Sequence, residues 1–199
     1  MRLLRYGELA VLVEPDDPAA VLGTAAAAGD LAEVREVVPA ARTVLVVVGD
    51  AAWLPRVCAA LRALPVRPAE PHVGAEVLLN VDYDGADLAA TAGELGLDVD
   101  GLVRAHASGE YVVGFCGFTP GFAYLSGLDP ALHVARHAEP RTIVPSGSVA
   151  IAGEFTGVYP QASPGGWRLL GHTDAILWDL HRAPPALLTP GTRVRFRST

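Results

Sequence analysis

The chain has 199 residues, 51% of them hydrophobic, and a formal net charge of −7. That composition supplies ample core for one large or two small domains, and its acidity excludes a nucleic-acid surface or an anionic membrane as partner. All 15 basic residues are arginine, which excludes a Walker lysine, a Schiff-base lysine and a biotin-carrier lysine. There is no apolar run of about 18 residues that would span a bilayer. Glu8 and Glu14 break the N-terminal apolar stretch too early for a signal-peptide core, so a cytoplasmic location is expected. Cys58 and Cys116 lie in separate segments and suggest neither a metal pair nor a redox pair; they are expected to be buried thiols.

In chain order, residues 2–14 predict two strands around Tyr6-Gly7, with alternation clear at Leu9, Val11 and Val13. Asp17-Pro18 starts a helix, with Asp at the N-cap and Pro at the first helical position. This alanine-rich helix ends near Gly29-Asp30. Glu33 to Val38 and Thr43 to Val48 predict a hairpin. Asp50 caps a second helix carrying Trp53, Val57, Leu61 and Leu64, with Pro55 in its first turn or defining its start. The order ββαββα predicts a small N-terminal α+β sandwich over 1–64, with both helices on one side of the sheet. Pro65, Pro68 and Pro71 mark a linker over 65–74.

The second domain is expected over 75–199. Glu76 to Tyr83 alternates as a strand, Asp87 caps a helix over Leu88 to Leu95, and Asp98 caps another reaching about His106. Glu110 to Cys116 is a strand. Short β segments follow at Thr142–Val144, Ser148–Ala152, Gly157–Tyr159, Trp167–Gly171, Ala175–Trp178 and Thr192–Phe196. Many short strands punctuated by Gly and Pro predict a closed β-barrel. From Gly114 to Gly171, Phe115, Phe118, Phe122, Tyr124, Phe155, Tyr159 and Trp167 alternate with Gly and Pro. Such turns hold rings at fixed angles, and the segment reads as a working surface rather than a core.

Several constellations carry chemistry only weakly. His133 and His137 are four apart but lack the glutamate of a zinc-protease helix, and no metal site is expected. Ser146 and Ser163 do not fit a Gly-x-Ser-x-Gly elbow. Asp82, Asp84 and Asp87 lack the bidentate Glu of a calcium loop. His106 and His172, near the aromatic segment, are the histidines of a type suited to act near neutral pH, with a satisfied structural histidine as the competing reading for each. Arg141, on a rigid turn, suits a carboxylate or phosphate, with a surface salt bridge as the competing reading.

The run Gly117-Phe118-Thr119-Pro120-Gly121-Phe122-Ala123-Tyr124-Leu125 resembles the signature of the 5-oxoprolinase B-subunit family, also called KipI-like or allophanate hydrolase subunit 1. Pro140-Arg141 with Val144 to Gly153, Thr156 to Pro160, Ser163 to Gly171, and Pro190 to Phe196 match the family in order. The resemblance implies a cyclophilin-like barrel behind a small N-terminal domain. It also implies one component of an ATP-dependent 5-oxoprolinase that converts 5-oxoproline to L-glutamate together with partner A and C subunits. Some members instead inhibit a sensor histidine kinase. Glu154-Phe155-Thr156 and Gly171-His172-Thr173 depart from the family's Gly-Gln-Thr and Gly-Arg-Thr, making the local surface less positive.

Lactam opening needs an activated carbonyl, donors for the developing oxyanion and a cation for the substrate carboxylate. The expected catalytic residues are Arg141 as clamp and His106 as proton carrier. Phe118, Pro120, Phe122, Tyr124, Glu154, Thr156, Tyr159, Ser163, Trp167 and His172 are expected to line the substrate or partner groove. With no lysine and no ATP motif, the chain is expected to be inactive alone, with ATP bound by or shared with a partner. A kinase inhibitor would instead capture a helix through Phe118, Phe122 and Trp167. The barrel alone would also suit a prolyl isomerase.

Overall fold

Alternating valines organise the first part of the chain. The structure is a computed structural model that describes residues 1–64 and 76–199, so the proline-rich stretch read as a linker lies outside the described residues. It divides into two units, Met1–His72 and Val73–Thr199.

The first unit runs β1 (Arg2–Tyr6), β2 (Ala10–Glu14), α1 (Val21–Gly29), β3 (Val34–Pro39), β4 (Val44–Val48), α2 (Leu54–Ala63). Its sheet is antiparallel throughout, in the order β1-β2-β4-β3. The period of two turns Val11, Val13, Val44, Val46 and Val48 to one face, where they pack with Val21 and Ala28 of α1 and Leu54, Val57 and Leu61 of α2. Both helices therefore cover the same face, as the sequence predicts. Asp17 and Asp50 accept from the amides of Ala19 and Ala52, each capping a single 3-10 turn that leads into the α-helix. Pro55 lies in the first turn of α2. Trp53 stands 44% exposed, outside this core.

The second unit contains β5 (Val77–Val81), α3 (Leu88–Glu94), α4 (Val99–Ala107), β6 (Tyr111–Cys116), β7 (Ala123–Ser126), β8 (Arg141–Val144), β9 (Ser148–Ala152), β10 (Phe155–Val158), β11 (Ser163–Gly165), β12 (Arg168–His172) and β13 (Arg193–Ser198). Seven strands form one sheet in the order β12-β9-β10-β7-β6-β13-β5, and β8 and β11 form a separate ribbon. The two edges of the large sheet meet through Asp82 and His172, whose backbones exchange two 2.9 Å hydrogen bonds. The seam continues with the Gly85 and Asp87 amides donating to the carbonyls of Leu170 and Leu169. The sheet is thus a nearly closed barrel, filled by Val81, Leu102, Val113, Leu125, Ile151, Leu170 and Val194.

Three local expectations change. Ala175–Trp178 is not a strand and contributes only an isolated bridge from Trp178 to Ala186. β7 and β11 form where the sequence shows only turn chemistry. In β11 the Pro164 ring is tolerated because the ribbon is narrow and the strand has an open edge. The thiols of Cys58 and Cys116 are unpaired but only half-buried.

Gly171 is required at the seam, since a Cβ there would overlap the Asp82 carbonyl oxygen. Gly171→Ala should separate the two edges and cost about 1–3 kcal/mol. A urea midpoint equal to that of the parent protein would show that the seam tolerates the side chain.

Candidate functional site

The aromatic segment folds inward. Phe122, Tyr159 and Trp167 are 2%, 2% and 7% exposed and form a second core with Val144, Ala150, Ala152 and Leu169, against which Tyr124 and Phe155 pack. Phe122 meets Trp167 edge-on at 5.4 Å and 88°, and Tyr159 at 5.3 Å and 77°. Tyr124 stacks on Phe115 at 4.2 Å. The expected open groove through Phe118, Phe122 and Trp167 is therefore corrected: two of its three rings are buried. The Gly and Pro turns set ring angles so that edges meet faces within the protein. Phe118 alone projects, 61% exposed with φ 69°, on a turn closed by Thr119 N–H to Gly117 O and Phe122 N–H to Thr119 O. Pro120 is exposed on the same turn, and Gln161 donates to the Thr119 hydroxyl at 2.7 Å.

His106, the expected proton carrier, is completely buried. Its Nδ1 lies 2.7 Å from the Tyr83 hydroxyl and its Nε2 2.8 Å from Thr156 Oγ1. Thr156 donates its one hydroxyl proton to Ala150 O at 3.1 Å, so it must accept from His106 Nε2–H. Nδ1 then accepts from Tyr83. The ring also stacks on Phe196 at 4.7 Å, and its backbone carbonyl accepts from the Tyr111 hydroxyl. Desolvation lowers the His106 pKa from 6.5 to about 3, and burial pushes the Tyr83 phenol far above its ordinary range. Both ring nitrogens are spent inside the barrel, which corrects the catalytic expectation: His106 is a neutral structural tie with no route to a bound substrate. Thr156, expected in the groove, belongs to the same buried chain.

Arg141 is held by a residue that the sequence accounts for locally. Asp87 does precede α3, but its side chain makes no capping bond. Its Oδ2 accepts from the Leu169 amide at 2.8 Å and its Oδ1 from Arg141 Nη2 at 2.7 Å. His137 Nε2 lies 3.2 Å from Oδ1, off the line of a hydrogen bond. Burial alone would raise the Asp87 pKa, but the donors Arg141 and Leu169 N–H, with the His137 ring close by, outweigh it and hold the carboxyl below its usual 3.8. His137 also faces Arg168, whose Nη1 is 3.3 Å from Nδ1 and whose Nη2 pairs with Glu94 at 3.0 Å. His133 and His137 share no helix face, because the helical turn ends at Leu132.

The remaining expected groove residues are dispersed. Ser163 sits half-buried on β11. Glu154 is exposed in the β9–β10 turn beside a shallow cleft of about 510 Å³ with His133, Val134, Ala135, Gly153 and Phe155. His172 pairs with Ser148, at the opposite end of β9 from that turn, so the two departures from the family pattern do not share one local surface. The His172 ring sits 2.9 Å from Asp84 and 3.6 Å from Asp82. The hydrogen bond and charge of Asp84 raise its pKa above 6.5. Among the described residues no cluster of His, Cys, Asp or Glu gathers to hold a metal ion, and no helix is long and apolar enough to cross a membrane. Asp87, His137 and Tyr83 are the site residues that sequence reasoning missed; their partners lie 23 to 82 positions away, beyond any local pattern.

A family model for the carboxyltransferase domain, subdomain C and D, matches residues 1–188. The chain belongs to this family. It is 55% identical over 112 residues to the 5-oxoprolinase B subunit of Escherichia coli O157:H7, covering 56% of this chain and 51% of that protein. It is 43% identical over 112 residues to the 5-oxoprolinase B subunit of Bacillus subtilis, covering 56% and 47%. The chain thus spans about half the length of the curated relatives it matches. Among solved structures it is similar to TTHA0988, with a TM-score of 0.80, 36% identity, and coverage of 96% of this chain and 40% of that one. The conserved uncharacterized protein PH0987 from Pyrococcus horikoshii matches with a TM-score of 0.61 and 31% identity, over 100% of this chain and 97% of that one. Kluyveromyces lactis urea carboxylase shares the fold, with a TM-score of 0.68 at 17% identity.

Within this family member, Asp87→Ala should cost about 3–5 kcal/mol by leaving Arg141 partly buried without its carboxylate. Thermal unfolding of the variant tests this, and a loss below about 1 kcal/mol would mean the pair is replaceable. His106, whose folded pKa lies below its unfolded one, contributes stability that is complete above about pH 6.5 and is lost as the pH falls toward 3. Ring nitrogen NMR shifts should show the neutral Nε2–H tautomer at pH 4.5; protonation near pH 6 would contradict the buried chain.

Proposed function

We propose that this chain is the B component of an ATP-dependent 5-oxoprolinase, acting with the A and C subunits to convert 5-oxoproline to L-glutamate in the cytoplasm. The observation that carries the reading is the 43–55% identity to curated proteins of that name. Opening the ring breaks the lactam C–N bond with one water, leaving a new carboxylate and an amine. Within this chain, Arg141 is the group suited to hold the substrate carboxylate, since only one of its terminal nitrogens is engaged with Asp87.

The residues present do not fit ATP. The chain has no lysine. Each helix or its leading turn begins at an aspartate, at Asp17, Asp50, Asp87 and Asp98, whose charge repels phosphate where a helix dipole would otherwise attract it. With His106 buried as well, the expected proton carrier is not beside Arg141, where the His137 ring against Asp87 is the imidazole present. Activity only in the complex, with ATP held by a partner, is the reading these facts support.

Phe118 favours a second reading, a KipI-type inhibitor of a sensor histidine kinase. A 61%-exposed phenylalanine on a tightly hydrogen-bonded turn is suited to a protein contact, and the C component of the enzyme would satisfy it equally.

Mixing purified A and C subunits with 5-oxoproline and ATP should release glutamate and ADP only when this chain is added. In that mixture Phe118→Ala should raise the concentration of this chain needed for half-maximal activity about tenfold. Absence of turnover with partners that work with another member of the family would reject the enzyme reading.

A further inference from the structure

An arginine interrupts the apolar alternation of β1. Leu3 and Arg5 lie opposite Val13 and Val11 of β2, and directly paired residues of an antiparallel ladder share a face. That face is the one α1 and α2 cover, where Val11 and Val13 are buried. Arg5 therefore stands where the period of two asks for a core residue, on the edge strand of the sheet. On α2, Leu54, Cys58 and Arg62 follow at intervals of four and share one side of the helix. Between this side and β1 the packing stays open, as a cavity of about 260 Å³. Leu3, Val11, Leu54 and Cys58 wall it, and Arg5 and Arg62 line it as well. Ala51 and Pro55 complete the lining with side chains too short to fill the gap. We propose that this cavity binds a small organic monoanion with an apolar body, its carboxylate held by Arg5 and Arg62 and its hydrocarbon part against Leu3, Val11 and Leu54.

Charge and size define the ligand class. No lining residue is acidic, although the chain carries a net charge of −7. Arg2 and Arg56 of the same unit pair with Glu14 and Glu33. Among the described residues Arg5 and Arg62 pair with no carboxylate. Arg5 Nε donates to Gly7 O at 3.0 Å, which anchors the guanidinium and leaves its terminal N–H groups for another acceptor. A helical side chain covers the turn before its own Cα, which sets Arg62 over the turn that carries Cys58. A cation would be repelled here, and a purely polar anion would leave the apolar wall in water. The volume equals that of roughly nine waters, so an acid of about that many non-hydrogen atoms fills it.

Arg5 has a competing use. A charge pointing inward from an edge strand discourages pairing with a second chain. That role calls for neither Arg62 nor an open cavity, so the two uses separate by experiment. The inference goes beyond the proposed function and stands on the first unit alone.

Amide NMR on the full chain tests it with hexanoate, hexanol (the tail without the charge), acetate (the charge without the tail) and hexylammonium (the opposite charge). Hexanoate should shift the amides of Leu3, Arg5, Ala51 and Cys58 saturably. Hexanol and acetate should each bind at least about tenfold more weakly, and hexylammonium should not compete. Arg5→Gln and Arg62→Gln should each weaken hexanoate about fivefold with an unchanged melting temperature. Cys58→Leu, which fills the cavity, should abolish binding while the melting temperature holds or rises. Saturable shifts confined to residues outside the cavity, or hexanol or hexylammonium binding as well as hexanoate, would overturn the site. So would parent affinity in both arginine variants, and parent affinity with new self-association in Arg5→Gln would assign that residue to edge protection instead.

Discussion

One carboxylate fastens the second unit together. Asp87 sits where the chain leaves the barrel seam and enters α3, and it reaches a β12 amide and the Arg141 guanidinium of the ribbon at once. Its own amide completes the seam by donating to Leu169 O. A buried carboxylate without partners is far more costly than one fully supplied with donors, so these bonds stand or fall as a set. Val144 of the ribbon packs into the aromatic core, a contact that by itself would allow sliding. The ion pair fixes its register against β12 and therefore the position of every donor on it.

His106 presents the opposite solution to the same problem. Asp87 is kept charged because its donors outweigh desolvation, whereas His106 is kept neutral because nothing in its surroundings offers a countercharge. Tyr83, His106, Thr156 and the Ala150 carbonyl form a chain in which each proton has one place to go. It ties the residues beyond β5 to α4 and to β10 across the barrel interior, with polar specificity that leucines would not supply. Its worth is in alignment, and its neutrality suits a dry site.

The first unit was legible because its strands obey a period of two and its helices begin at Asp-Pro and at Asp50, all local signals. The barrel was legible as a class from its many short strands. The aromatic segment misled, because rings among Gly and Pro look like exposed turns until one knows that Tyr159 and Trp167, from a later stretch of chain, fill one space with Phe122. Asp87 misled differently. A capping preference explains an aspartate before a helix so completely that it hides a partner 54 positions away. His106 gave no sign of burial, since a helix-end histidine is as common outside as in, and its hydrogen-bond partners come from two other segments. Arg141 and Ser163, read from the sequence as polar residues on turns, lie instead on the two strands of the ribbon, whose register no local pattern encodes.

The placement of β13 bears on how this unit is assembled. Its residues 193–198 lie between β6 and β5, parallel to the latter over five paired positions. Apart from the seam at Asp82, which itself waits for His172, the strand that starts the barrel therefore has no paired strand until residues made more than a hundred positions later arrive. During synthesis on the ribosome β5 must wait with its hydrogen-bonding edge open, while β6, β7, β9 and β10 are able to zip up with near neighbours. Pairings of such long sequence separation are slow and expose unsatisfied strands meanwhile. Vectorial synthesis thus gives the nascent barrel a vulnerable interval, and β5 is where a chaperone or an errant second strand would find it.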